Sequence, residues 1–167
     1  MNIYEVIKKR RSVRSYKSEP VEEEKLKRIL EAALSAPSAA NRQPICFLVV
    51  KDEKIKQQLK KAYNEEWFYT APVIICVCSI PERAWKRSDG KNYGDVDAAI
   101  AMDHLILAAT AEELATCWVA AFKVPLVKSI LNLPPGIEPV ALTPVGYPLH
   151  IPEPTYRKPL EAIVHII

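Results

Sequence analysis

Helical and strand-like spacings of apolar residues alternate along this chain, and their order predicts a protein built on a sheet. Ile3, Val6 and Ile7 share one face of a short first helix, which ends where apolar periodicity stops in the basic run KKRRSVRSY, residues 8–16. That run is expected to be extended. Leu26, Ile29, Leu30, Ala33 and Leu34 mark an amphipathic helix over 21–35, with Ser18 and Glu19 as its cap, Pro20 as an N-terminal proline and Pro37 as its stop. The β-branched run 45–50 has strand length, and Ile55, Leu59 and Ala62 then keep the spacing of a charged helix. A second strand is predicted over 73–78. Residues 81–94 mix Trp, Tyr, Lys, Arg and Gly without period and read as a long loop of the functional or mobile kind. In the helix over 95–114, roughly 30 Å long at 1.5 Å per residue, Ile100, Met102, Leu105, Ile106, Leu107 and Ala109 cover nearly the whole circumference. Such a helix must be buried on several sides. Residues 116–122 read as an apolar strand or turn, 124–131 as a short helix and 139–145 as a further strand, and the tail from Arg157 ends in a β-branched run. Alternating elements without repeats make this an α/β or α+β protein rather than a bundle or sandwich.

Composition narrows the partners. A chain of 167 residues, 49% hydrophobic, is expected to form one domain over 1–167 with its own core. The apolar girth of the long helix and the hydrophobic tail exceed what one copy covers, so a homodimer is expected. A net charge of +3 does not by itself imply a nucleic-acid or membrane partner. No apolar run reaches the ~20 residues of a bilayer span, and no apolar core of a secretory signal precedes KKRR, so a cytoplasmic location is expected. With only 4 glycines, neither G-x-G-x-x-G nor a Walker loop is present. Cys46, Cys76, Cys78 and Cys117 all lie in apolar stretches, which favours reduced, buried thiols. Cys76 and Cys78 share a strand face without a second ligand pair, so no metal site is expected. His104 reads as a structural histidine on the long helix, and no Ser-His-Asp or Cys-His set is visible.

Three constellations could carry chemistry. Arg10, Arg11, Ser12 and Arg14 place three guanidinium forks and a hydroxyl within five residues, which suits a phosphate, although a solvated basic patch has the same composition. Between a helix end and a strand, Ala36, Pro37, Ser38, Ala39, Ala40, Asn41, Arg42, Gln43 and Pro44 combine small residues with hydrogen-bonding ones. That fits the edge of a flat ligand or an ordinary connecting loop. In ATCWVAAF, Ala120 and Ala121 between aromatics could bring backbone amides against a ring or simply fill core.

RRSVRSY, APSAANRQP, ATCWVAAF, PVGYP and YRKPLEAIV occur in an order and spacing that resembles the nitroreductase family of FMN-dependent enzymes, across essentially the entire chain. The resemblance implies an α+β, nitroreductase-like fold: a central, mostly antiparallel sheet flanked by helices in an intertwined homodimer. It also implies FMN at the subunit interface, and reduction of nitroaromatics, quinones or similar acceptors by NAD(P)H in a ping-pong hydride transfer. Other flavin enzymes of this fold, of dehalogenase or flavin-degrading type, and a cofactor-free binding or regulatory dimer are the alternatives. By the same resemblance Arg10, Arg11 and Ser12 hold the FMN phosphate and ribityl chain, joined at the phosphate by Arg157 and Lys158. Arg14 is the cation at the flavin N1/O2 edge, with no dedicated acid or base. Pro37, Ser38 and Asn41 come from the other subunit, Gln43 lies near the ribityl or ring, and Ala120 and Ala121 face N5. Where the family carries G-L-G before T-C-W this chain has Glu113, Leu114 and Ala115. A left-handed backbone at Ala115, Ala120 or Ala121 would strain those alanines.

Overall fold

The computed structural model describes residues 2–167. Four strands, β1 (Ile45–Val50), β2 (Val73–Ser79), β3 (Ala115–Thr116) and β4 (Glu138–Gly146), form a sheet in the order β1-β2-β4-β3 with every pair antiparallel. In β2 successive side chains point to opposite faces. Val73 and Ile75 pack with α2 (Glu23–Leu34) and α5 (Gly94–Ala111), and Val77 with Met102 and Ile106 of α5. Ile74, Cys76 and Cys78 pack on the other face with Leu59 of α3 (Glu53–Leu59), Phe68 of α4 (Glu66–Tyr69) and Val127 of α6 (Val124–Ile130). Helices on both faces leave all seven residues of β2 buried, hence its unbroken apolar sequence. The expected α+β arrangement and antiparallel sheet are present.

Several local expectations change. Helix α1 (Ile3–Lys9) ends at the basic run as expected, but α2 starts at Glu23, not at a Ser18 cap. Val21 and Leu26 are both buried in one cluster, a hydrophobic staple that sets the chain's entry into the helix. Glu23 and Glu24 supply negative charge in the first turn, while the Glu22 carboxylate accepts from the Tyr147 hydroxyl. The short α4 carries no readable period. It is held through Phe68, which is fully buried and edge-on to Tyr63 and Trp67. The β-branched tail forms no strand, only one tight turn at Leu160–Ala162.

All four cysteines are free; Cys76, Cys78 and Cys117 are buried as expected, and Cys46 is half-buried. Cys76 and Cys78 share a face with Sγ atoms 3.6 Å apart, and burial pushes the neighbouring Cys46 thiol up to about 11. His104 Nδ1 lies 3.1 Å from the Ile100 carbonyl oxygen, a local structural contact. The long helix is buried on one side only within a single copy. Its other face, with Val96, Ala99, Ile100, Asp103 and His104, borders an apolar groove of about 510 Å³.

Candidate functional site

The basic run emerges from α1 as an extended edge. Ser12 bridges Thr116 of β3, the Val13 amide donates to the Thr116 carbonyl at 2.9 Å, and Tyr16 bridges Pro148. The Leu149 amide donates to the Ser15 carbonyl at 3.0 Å and the Lys17 amide to that of Tyr147 at 2.9 Å. Side chains on an extended segment alternate, so Arg10, Ser12 and Arg14 share one side and Arg11 and Val13 the other. The cavities follow that split. Arg10, Ser12 and Arg14, with Lys8, Arg157 and Glu153, line a cleft of about 660 Å³. Val13 and Lys9 line an adjoining cavity of about 630 Å³ with Leu114 and Ile151, and Arg11 reaches both.

Charge in the cleft is unbalanced, because five cations face one carboxylate, Glu153, and none of the five forms an ion pair among the described residues. Arg11 is turned back on α1: its Nη1 donates to the Lys8 carbonyl at 2.6 Å and the Arg10 carbonyl at 2.9 Å, satisfying acceptors at the helix end. Its buried Nε has no partner among the described residues. Arg14 is exposed, and its guanidinium carbon stands 5.8 Å from the centre of the Trp67 ring. Beneath them lies Cys117, whose thiol is raised by burial while the positive charges of Arg14 and Arg10 act the other way. Burial also raises the Tyr16 phenol, whose hydroxyl donates to the Val13 carbonyl at 2.7 Å and braces the segment.

The second predicted cluster forms a separate, tightly wound loop. Ala40, Asn41 and Gln43 all have positive φ, at 51°, 52° and 50°, which costs energy and persists only where the surroundings hold it. Two clamps do so. The Ser38 hydroxyl accepts from the Gln43 amide at 3.0 Å, and Asp97 Oδ1 accepts from the Ala39 amide at 2.9 Å. Asp97 is 2% exposed and its Oδ2 has no partner among the described residues. It lines a small chamber of about 110 Å³ with Pro37, Ser38 and Gln43. Arg42 donates to the Ala84 carbonyl at 3.2 Å, tying this loop to the 81–94 segment, which folds back on itself through a Lys86–Asn92 bridge and an edge-on Trp85–Tyr93 pair. None of Pro37, Ser38, Asn41 or Gln43 lines the basic cleft, and Lys158 lines neither cavity beside it. Within one chain the two clusters line separate cavities.

The family model for the nitroreductase family matches residues 7–68 and 56–147, spanning both clusters. The chain belongs to the nitroreductase family. A crystal structure of a nitroreductase family protein from Clostridium difficile 630 superposes with a TM-score of 0.91 at 39% identity, covering 99% of this chain and 98% of that one. An FMN reductase (NAD(P)H) from Bacillus subtilis strain 168 is 32% identical over 93% of this chain and 69% of its own length. An iodotyrosine deiodinase from Nematostella vectensis is 28% identical over 96% of this chain and 73% of its own. Membership places the chain among oxidoreductases.

Where nitroreductases carry G-L-G, the left-handed residue here is Glu113, at φ 64°, while Ala115, Ala120 and Ala121 all keep negative φ. The condition under which those alanines would be strained is not met. Glu113 closes α5 instead: its amide donates to the Thr110 carbonyl and the Leu114 amide to that of Ala109, the paired bonds of a left-handed helix terminus where glycine is favoured. Glu113→Gly is expected to raise stability by about 0.5–1 kcal/mol, the relief of the left-handed penalty less the added freedom of the unfolded chain. A thermal melt reading an unchanged or lower midpoint would contradict this. Ala120 and Ala121 are exposed, and neither amide donates to another group among the described residues.

Two residues escaped the sequence reading. Asp97 is not among the residues the sequence singles out, yet a carboxylate at an otherwise buried helical position is itself the signal. Trp67 had no signal, because its relation to Arg14 spans 53 residues and exists only in the folded chain.

Proposed function

We propose that this chain is an FMN-dependent NAD(P)H oxidoreductase, reducing nitroaromatics, quinones or similar acceptors as a homodimer with one flavin domain per copy. The observation that carries this reading is the uncompensated cleft, where Arg10, Ser12 and Arg14 line up along one side of an extended edge. Its donor set fits a phosphate ester. Guanidinium forks suit phosphate oxygens, and five cations facing one carboxylate leave a charge that an anion would balance.

In this reading Arg10 and Ser12 hold the phosphate and ribityl chain, with Arg157 and Lys158 of the tail joining them, and Arg11 fixes the turn that presents them. Arg14 stands at the pyrimidine edge, where a cation favours negative charge. The free amides of Ala120 and Ala121 face N5. Pro37, Ser38, Asn41 and Gln43 reach the other copy's site, which accounts for their separation from the cleft within one chain. FMN, when bound, supplies the two-electron relay between nicotinamide and acceptor. The protein supplies orientation and charge, and protons reach the acceptor from water.

Anaerobic NAD(P)H is expected to bleach the yellow protein, and a nitroaromatic or quinone to restore its colour, with parallel double-reciprocal plots. Rapid mixing in which no bleaching occurs until both substrates are bound would contradict the scheme. The deiodinase relative makes reductive dehalogenation the second reading. Faster reoxidation by an iodinated phenol than by any nitroaromatic or quinone would decide for it.

A further inference from the structure

We propose that Trp67 is a positioning residue for Arg14, an aromatic platform that holds the guanidinium at the mouth of the cleft without neutralising it. The inference rests on the flavin reading above. Arg14 makes no ion pair among the described residues, and its one directed partner is the Trp67 ring at 5.8 Å. The nature of that partner matters. A carboxylate would fix an arginine but cancel its charge and occupy its donors, whereas a π face attracts the cation and leaves its five N–H groups free for a ligand.

The platform is itself held on three sides. The indole Nε1 donates to Glu65 Oε2 at 3.2 Å, and the ring stands edge-on to Tyr63, with centroids 5.8 Å apart, and to Phe68 at 6.3 Å. Phe68 is fully buried and edge-on to Tyr63 at 5.3 Å, so the aromatic set is anchored in the core. Around Arg14 the titratable neighbours are the Tyr16 and Tyr63 phenols and the Cys117 thiol, all raised by burial, with the charge of Arg14 opposing the shift. None brings negative charge at neutral pH, and Glu153 is the one carboxylate lining the cleft. The Glu65 carboxylate is held at the indole edge, on the nitrogen. A long, exposed arginine loses freedom on being fixed, and a rigid ring supplies a surface for it that a mobile acid would not.

The test compares Trp67→Leu, Trp67→Phe, Arg14→Gln and the double variant Trp67→Leu/Arg14→Gln, each first checked by thermal melt and circular dichroism. In protein freed of FMN, the Arg14 Nε–H resonance is expected upfield of free arginine through the indole ring current, and Trp67→Leu abolishes that shift. In FMN-loaded protein, spectroelectrochemical titration is expected to give a more negative midpoint potential for Trp67→Leu, in the same direction as Arg14→Gln. Trp67→Phe, which retains a ring face, recovers most of the wild-type value, and the double variant shifts no further than Arg14→Gln alone. An unshifted Arg14 resonance overturns the platform, as does a Trp67→Leu potential equal to wild type or an undiminished effect of Trp67→Leu in the Arg14→Gln background. Wild-type protein that binds no FMN overturns the cofactor reading and with it the role given to Trp67, even where the upfield resonance is seen.

Discussion

Arg10→Ala is expected to weaken FMN binding roughly tenfold to a hundredfold, the loss of a charge-assisted bond to phosphate on the order of 1.5–3 kcal/mol. Arg10 is half-buried and shares a side of the extended segment with Ser12 and Arg14. Its alkyl stem and charge are therefore already placed at the cleft, and little ordering remains to be done on binding. Arg83→Ala, which removes an exposed cation lining only a cavity elsewhere on the molecule, should leave affinity unchanged and so separates local contact from general charge. Quenching of FMN fluorescence on titration with each variant reads the dissociation constant directly. An unaltered constant for Arg10→Ala, or a wild-type preference for FAD, would remove Arg10 from the phosphate end.

Ile100→Glu is expected to convert the protein from a stable dimer to a monomer at micromolar concentration, with its circular dichroism unchanged. The reason lies in the uncovered face of α5, where Val96, Ala99 and Ile100 border the apolar groove, and in a tail whose Tyr156 and Ile166 stand 81% and 96% exposed. An apolar surface of that extent calls for a partner. In the proposed reading a second copy also brings the Ser38–Gln43 loop to the basic cleft, from which it is separate within one chain. The interface should exceed ~2,000 Å², the obligate class, and a carboxylate placed within it would be buried without a counter-charge. Sedimentation velocity checks both forms. A wild-type monomer with FMN bound, or an Ile100→Glu dimer as tight as wild type, would refute the seam.

The elements legible in the amino-acid order were those whose burial pattern is local. β2 reads as an apolar run because both of its faces are covered, α2 as a stripe because one is, and the basic segment as extended because apolar periodicity stops there. The residue types at the candidate site were legible for the same reason: RRSVR and APSAANRQP are contiguous, and their chemistry does not depend on what lies across the fold. What only the tertiary structure decided is which atoms meet. Alternation along an edge strand sent Arg11 to the end of α1 and left Arg10, Ser12 and Arg14 at the cleft. Asp97, 58 residues from Ala39, clamps a loop with three left-handed residues, and Trp67 lies under Arg14 across 53 residues. The positive φ fell on Glu113 because helix α5 ends there and two carbonyls need donors, a demand set by where the helix stops and not by the alanines that follow. Local pattern records how each segment is solvated; contacts between distant segments arise from packing, which no window of neighbouring residues contains.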